Sequence, residues 1–270
     1  MKKFLAILIA TIAVYSLSAF SYGADVRIDG STTVLPVAQK AAEVFMKKNP
    51  GVKIYVSGSG SGTGIKALMD GTTDIATSSR EAKDKEIAVA KGKGVNLTSH
   101  KVALDGIVPV IHPSMKIENV TLEQLRDIYN GKIKSWKGIG GPDRPISVVS
   151  RDTSSGTYEV WESKVLKGDR VRADALLVAS NGQAVQTIAK NRYAIGYIGI
   201  GYVDRSIRVL KVNGKTPTPQ SVRDSSWPIS RPLYMYTNGK PVGVIKKFID
   251  FVLSPEGQKI VEEVKYVSIK

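Results

Sequence analysis

The run Ser57-Gly58-Ser59-Gly60-Ser61-Gly62-Thr63-Gly64 constrains this 270-residue chain more than any other feature. Glycine and hydroxyl residues in a row read as a flexible tether when nothing around them is periodic. Here residues 52–56 alternate as a strand before the run, and residues 65–69 open a helix behind it. A tight strand-to-helix loop fits those flanks better than a linker. Two other segments share the design. Gly30-Ser31-Thr32-Thr33-Val34-Leu35-Pro36 lies between a strand at 26–28 and a helix at 37–47, with Pro36 tolerable only in an opening turn. Arg151-Asp152-Thr153-Ser154-Ser155-Gly156-Thr157 follows the strand at 146–149 and precedes a helix from Tyr158. The fold must therefore supply three places where a strand passes into a helix through hydroxyls and glycines.

The rest of the chain keeps the same alternation. Short strands are expected at 74–76, at 102–104 and 107–111 on either side of Asp105-Gly106, and at 194–200. A helix at 122–129 should stop at Asn130-Gly131, and two more should close the chain at 244–253 and 257–264. This pattern predicts an α/β fold with mostly parallel sheets flanked by helices. Neither an internal repeat nor a low-complexity tract interrupts it.

Each of the three loops puts hydroxyls and unpaired backbone N–H groups at a helix start. Such an end carries about half a positive charge and free donors, which suits an anion. Arg151 adds a forked cation matched to an oxyanion, and the glycines let backbone close on a ligand. Any one of these segments is equally an ordinary N-cap. Three of them together suit convergence on one small tetrahedral anion. The Gly/Ser run lacks the Gly-Lys-Ser/Thr ending of a P-loop and does not match the dinucleotide fingerprint, so a nucleotide is disfavoured.

The N-terminus has its own design. Met1-Lys2-Lys3 is a short positive head, residues 4–20 are almost wholly apolar or small, and Ser21-Tyr22-Gly23-Ala24 supplies small residues for a cut. That layout predicts a secretory signal peptide over residues 1–23, cleaved near 23–25, and export to a periplasm. With no cysteine, a disulfide scaffold, thiol catalysis, thiolate zinc and a lipidated N-terminal Cys are excluded. Of the net charge of +15, two units sit on Lys2 and Lys3 and the rest is spread thinly, with excesses of four, three and six over residues 24–104, 105–202 and 203–270. Basic residues do not interleave with stacking aromatics, so nucleic acid is not an expected partner.

Set in order, these words resemble the phosphate-specific substrate-binding proteins of ABC transporters, the PstS family. The resemblance runs through Gly30 to Pro36, Gly58 to Gly64, Asp74-Ile75-Ala76-Thr77-Ser78-Ser79-Arg80 and Asp127-Ile128-Tyr129-Asn130-Gly131-Lys132-Ile133-Lys134-Ser135-Trp136. It continues through Arg151 to Thr157, Ala194-Ile195-Gly196-Tyr197-Ile198 and Ser230-Arg231-Pro232-Leu233-Tyr234. It implies a two-domain, type II periplasmic binding protein fold that closes on its ligand. Domain I would combine residues 25–104 with 203–270, and domain II would be residues 105–202, with hinge strands near Asp105 and Tyr202. Inorganic phosphate would sit in the cleft, held by Thr32, Thr33, Ser61 and Ser79 of domain I and by Arg151, Ser155, Gly156 and Thr157 of domain II. Arg80 and Asp105 are further candidates. An ABC permease would be the protein partner, and the binding protein itself a monomer without cofactor or metal.

One position departs from the longer members of that family, which carry an Asp where Ser79 stands. The Asp accepts the proton of monohydrogen phosphate and repels sulfate. Here that acceptor must be another group, or discrimination must be weaker. Alternatives of the same class are binding of sulfate, molybdate or tungstate; those of other classes are a secreted phosphoester hydrolase and a surface adhesion or signalling protein. Hydrolysis is disfavoured because His100 and His112 lack metal-ligand spacing and Ser59-Gly60-Ser61-Gly62 is not a nucleophile elbow. Tyr197, Tyr202, Trp227 and Tyr234 are expected to pack in cores or hinges, and Trp136 on the surface of domain II.

Overall fold

The computed structural model describes residues 25–269, so the expected signal peptide lies outside the described residues. Among those described, no helix is long and apolar enough to cross a membrane. Two hydrophobic cores organise the chain. The first lobe begins with β1 (Asp25–Gly30), which buries alternate residues Val26 and Ile28. Helix α1 (Leu35–Lys48) then lays Val37, Ala38, Ala41, Ala42 and Phe45 onto the sheet, the spacing that puts side chains on one helical face. Strand β2 (Lys53–Val56), helix α2 (Ser61–Met69), strand β3 (Ile75–Ser78) and helix α3 (Asp84–Gly92) follow. Strands β1, β2 and β3 are parallel, as strand–helix alternation requires.

The apolar runs on either side of Asp105-Gly106 are a single strand, β4 (Leu97–Ile111). At about 3.3 Å per residue its 15 residues span roughly 50 Å, enough to serve both lobes. Its first part pairs antiparallel with β11 (Ser230–Asn238) as far as Gly106. From Ile107 it pairs with β8 (Ala194–Gly199) in the second lobe. The sheet is therefore mixed, not mostly parallel, because the strands joining the lobes run against each other.

The second lobe is built on β5 (Asn119–Val120), α4 (Leu122–Asn130), β6 (Ser147–Arg151), α5 (Gly156–Trp161), β7 (Leu176–Val178), α6 (Asn181–Lys190) and β8. Helix α4 has a reciprocal cap, with Gln124 N donating to Thr121 Oγ1 and Thr121 N to Gln124 Oε1, both at 2.9 Å. It ends at Gly131 in the left-handed region at φ 88°.

Residues 203–229 differ from the expected division. Strand β9 (Arg208–Val209) pairs with β4, and β10 (Lys211–Val212) pairs with β5. Helix α7 (Pro219–Arg223) follows, and Val222, Trp227 and Ile229 lie in the second core. Trp227 Nε1 donates to Ile107 O at 3.0 Å. The packing thus returns to the first lobe at Ser230, not at Val203. Apolar residues in this stretch are scattered without period, so nothing in sequence marks which core they join. Helices α8 (Gly243–Leu253) and α9 (Pro255–Glu263) complete the first lobe. Beyond them Val267 bridges back to Leu104 beside the crossing strands.

Candidate anion-binding site

The three glycine and hydroxyl loops meet between the lobes. The first two are locked together by backbone contact: a Cβ on Gly64 would lie 2.5 Å from Gly30 Cα, and one on Gly30 2.2 Å from Thr77 O. Only glycine permits that approach. The result presents Thr32, Thr33, Ser61 and Ser79, all buried, at one edge of the first lobe. Ser79 N donates to Ser61 Oγ at 3.1 Å, and the two hydroxyl oxygens stand 3.3 Å apart.

From the second lobe, β6 delivers Arg151 and the start of α5 delivers Ser155, Gly156 and Thr157. An aromatic platform fixes this edge. Trp161 stacks on Tyr197 with ring centroids 4.2 Å apart, and Tyr197 Oη accepts from Arg151 N at 3.2 Å. Tyr197 also pairs with Ser150 Oγ at 2.9 Å. Ser155 caps α5 by accepting from Tyr158 N at 3.3 Å. Arg151 Nε donates to Val178 O at 3.1 Å, and Nη2 to Ala179 O at 2.8 Å. Burial pulls the Arg151 pKa down from the usual arginine range, and Arg231 also opposes its charge. Its Nη1 is buried without a hydrogen-bond partner.

The two edges touch. Arg151 Nη2 donates across to Thr32 Oγ1 at 3.2 Å, and Thr33 Oγ1 lies 2.9 Å from Thr157 Oγ1. Gly62 N donates to Ser154 O at 3.0 Å. Thr32, Thr33, Arg151 and Thr157 are thus joined directly, while Gly156 faces the Ser61–Ser79 pair.

Arg80 and Asp105 stand differently. The Arg80 guanidinium is engaged by Glu86, at 2.8 Å from each carboxylate oxygen, and by Glu159 at 2.6 Å. It ties α3 to α5 instead of offering free donors. Asp105 accepts from Ile200 N through Oδ1 at 2.9 Å and from Arg231 Nε through Oδ2 at 2.8 Å. Burial pushes its carboxyl above the usual range against the pull of Arg231. The carboxylate is wholly buried and already paired with Arg231.

Three further residues join the cluster without having been expected as ligands. Asn181 Nδ2 donates to Thr32 Oγ1 at 3.0 Å and Thr33 Oγ1 at 3.1 Å, while its Oδ1 accepts from Gly199 N at 3.1 Å. Tyr202 Oη donates to Thr32 O at 2.5 Å, and burial raises its pKa to about 12. Arg231 Nη2 donates to Thr33 Oγ1 at 3.2 Å and Thr157 Oγ1 at 3.0 Å. Asn181 is one polar residue in a helix start. Arg231 had a signal, being the lone charge in the otherwise uncharged stretch 225–239.

A two-lobed α/β molecule with crossing strands and a cluster of buried hydroxyls and arginines between the lobes has the architecture of a type II periplasmic binding protein. The model of the PBP superfamily domain matches residues 18–256. The chain is 35% identical over 257 residues to the phosphate-binding protein PstS of Borreliella burgdorferi, covering 91% of this chain and 90% of that one. A Clostridium perfringens structure, described as a substrate-binding protein of a phosphate ABC transporter with bound phosphate, is similar at TM-score 0.85 and 38% identity. That match covers 91% of this chain and all of the other. An ABC-type phosphate transport receptor from Vibrio cholerae is similar at TM-score 0.73 and 32% identity, covering 90% and 99%. The chain belongs to the PstS family of PBP-superfamily binding proteins.

Proposed function

We propose that this protein captures inorganic phosphate between its lobes outside the inner membrane and delivers it to an ABC permease. The observation that carries this reading is the buried Arg151 Nη1, left without a partner among hydroxyls that both lobes supply. A buried, unpaired charged donor is costly, and an oxyanion oxygen supplies the acceptor. Thr32, Thr33, Ser61, Ser155 and Thr157 offer hydroxyls, and Gly156 lets the start of α5 approach. The chain acts as a binding protein, not an enzyme, in keeping with its family.

Ser79 takes the position where an acceptor is needed. Its hydroxyl oxygen has one neighbour, Ser61 Oγ at 3.3 Å, so it can accept the proton of monohydrogen phosphate. Sulfate has no such proton, but a neutral hydroxyl rotates where a carboxylate would repel. Discrimination against sulfate through Ser79 is therefore smaller than a carboxylate would give.

Closure follows from contacts that neither lobe completes alone, so ligand shifts the population toward the closed state. Titration calorimetry with phosphate tests the site. Arg151→Ala should weaken binding by about 2 kcal/mol or more, roughly 30-fold. Unchanged affinity would place the anion elsewhere.

A further inference from the structure

We propose that Arg231 is a second anion-holding guanidinium, entering from the first lobe as Arg151 enters from the second; this rests on the phosphate reading above. The two arginines are built alike. Arg151 is 2% exposed and Arg231 4%. Each is fixed through Nε and Nη2. Arg151 is held by two carbonyls and a threonine hydroxyl, and Arg231 by a carboxylate and two threonine hydroxyls. In each, Nη1 alone is buried with no hydrogen-bond partner.

Their reach is reciprocal. Arg151, on β6 of the second lobe, donates to Thr32 of the first. Arg231, on β11 of the first lobe, donates to Thr157 of the second. Asn181 joins the two sets by donating to Thr32 and Thr33 together. Two like charges this close repel, and Arg231 indeed opposes the charge of Arg151. An anion among them removes that repulsion and gives both orphaned nitrogens an acceptor.

Arg231 does a second thing. Its Nη2 and Asn181 Nδ2 both donate to Thr33 Oγ1, filling the acceptor side of that hydroxyl. Nη2 likewise donates to Thr157 Oγ1. With its lone pairs filled, Thr33 gives its proton to Thr157 Oγ1 at 2.9 Å; Thr157, accepting from Arg231 and Thr33, is left to turn its own proton outward as a donor to a ligand. Asp105 sets the position, because it lies on β4 where pairing passes from one lobe to the other. A simple structural ion pair does not need contacts to threonines of both lobes.

Calorimetric titration of inorganic phosphate into wild type, Asp105→Asn/Arg231→Gln and Arg231→Lys separates the possibilities. The double variant removes both charges and leaves no buried unpaired carboxylate. It should bind at least about 30-fold more weakly, with a ligand-free melting temperature within a few degrees of wild type. Arg231→Lys, which keeps charge but loses the fork, should fall between, about tenfold weaker. Either folded variant binding within threefold of wild type overturns the role of Arg231 while leaving phosphate capture standing. A wild type that gives no phosphate heat overturns the underlying reading and this one with it. If the double variant does not fold, Arg231→Lys alone decides by the same threshold.

Discussion

Gly156 shows how little space the cleft leaves once the lobes meet. A Cβ there would lie 2.4 Å from Ser61 Oγ and 2.8 Å from Ser79 Oγ, atoms of the opposite lobe. Its own backbone is ordinary helix start, so alanine strains nothing within the second lobe. Gly156→Ala should therefore fold normally and close badly. Phosphate affinity should fall roughly tenfold to a hundredfold, the usual range for an added methyl in a packed contact, with an unchanged ligand-free melting temperature. Calorimetry and thermal unfolding together check this. At this scale the sequence shows the hydroxyl loops well, because serine, threonine and glycine in one run before a helix have few other uses. It shows Asn181 and Arg231 poorly, because their roles depend on partners 149 and 126 positions away. Asp105 and Arg80, chosen for charge, are already neutralised by Arg231, Glu86 and Glu159. Composition cannot tell a free charge from a paired one.

Among the elements, those with local signals match the sequence reading closely. Helix α1 runs Leu35–Lys48 where periodicity predicts 37–47, and α4 ends at the Asn130-Gly131 stop. Removing the Thr121 cap with Thr121→Ala should cost about 1 kcal/mol of stability. Denaturant unfolding would measure that, and phosphate affinity should not move because the Thr121 side chain bonds only within its own cap. Strands β4 and β11 are different. Two apolar runs around Asp105-Gly106 read as two strands, since an internal Asp and Gly usually break one. Here Asp105 is held by Arg231 across the β4–β11 pair, so the strand continues. The turn at Ser57 to Gly64 extends less than expected, because Ser61 already begins α2. Tertiary contact with Ser154 O satisfies Gly62 N there, which no local rule anticipates.

The whole molecule has two separately packed large cores, with polar contacts such as Arg151–Thr32, Thr33–Thr157 and Arg80–Glu159 between the lobes. Core residues such as Phe45, Phe248 and Val252 stabilise one lobe, and Trp136, Trp161 and Trp227 the other. Between them lie threonine, serine, asparagine and arginine, which exchange protein partners for water at little net gain. On the phosphate-capture proposal, such an interface opens readily and closes when the ligand adds its own contacts. Saturating phosphate should therefore raise the melting temperature and shrink the radius of gyration in solution scattering. The positive charge spread along the chain would attract anions in a salt-dependent way, so added salt should slow phosphate association more than dissociation. The strand-to-helix loops and apolar periods make the α/β class readable from sequence. The division into lobes is less readable, because residues 207–229 join the second core without any repeating pattern. The most direct test is calorimetric titration of phosphate into wild-type protein at about pH 7.5, alone and with sulfate in tenfold excess. One-to-one binding whose apparent affinity falls by less than about threefold in sulfate is the predicted result. Sulfate binding as tightly as phosphate, or no saturable phosphate heat, would contradict it.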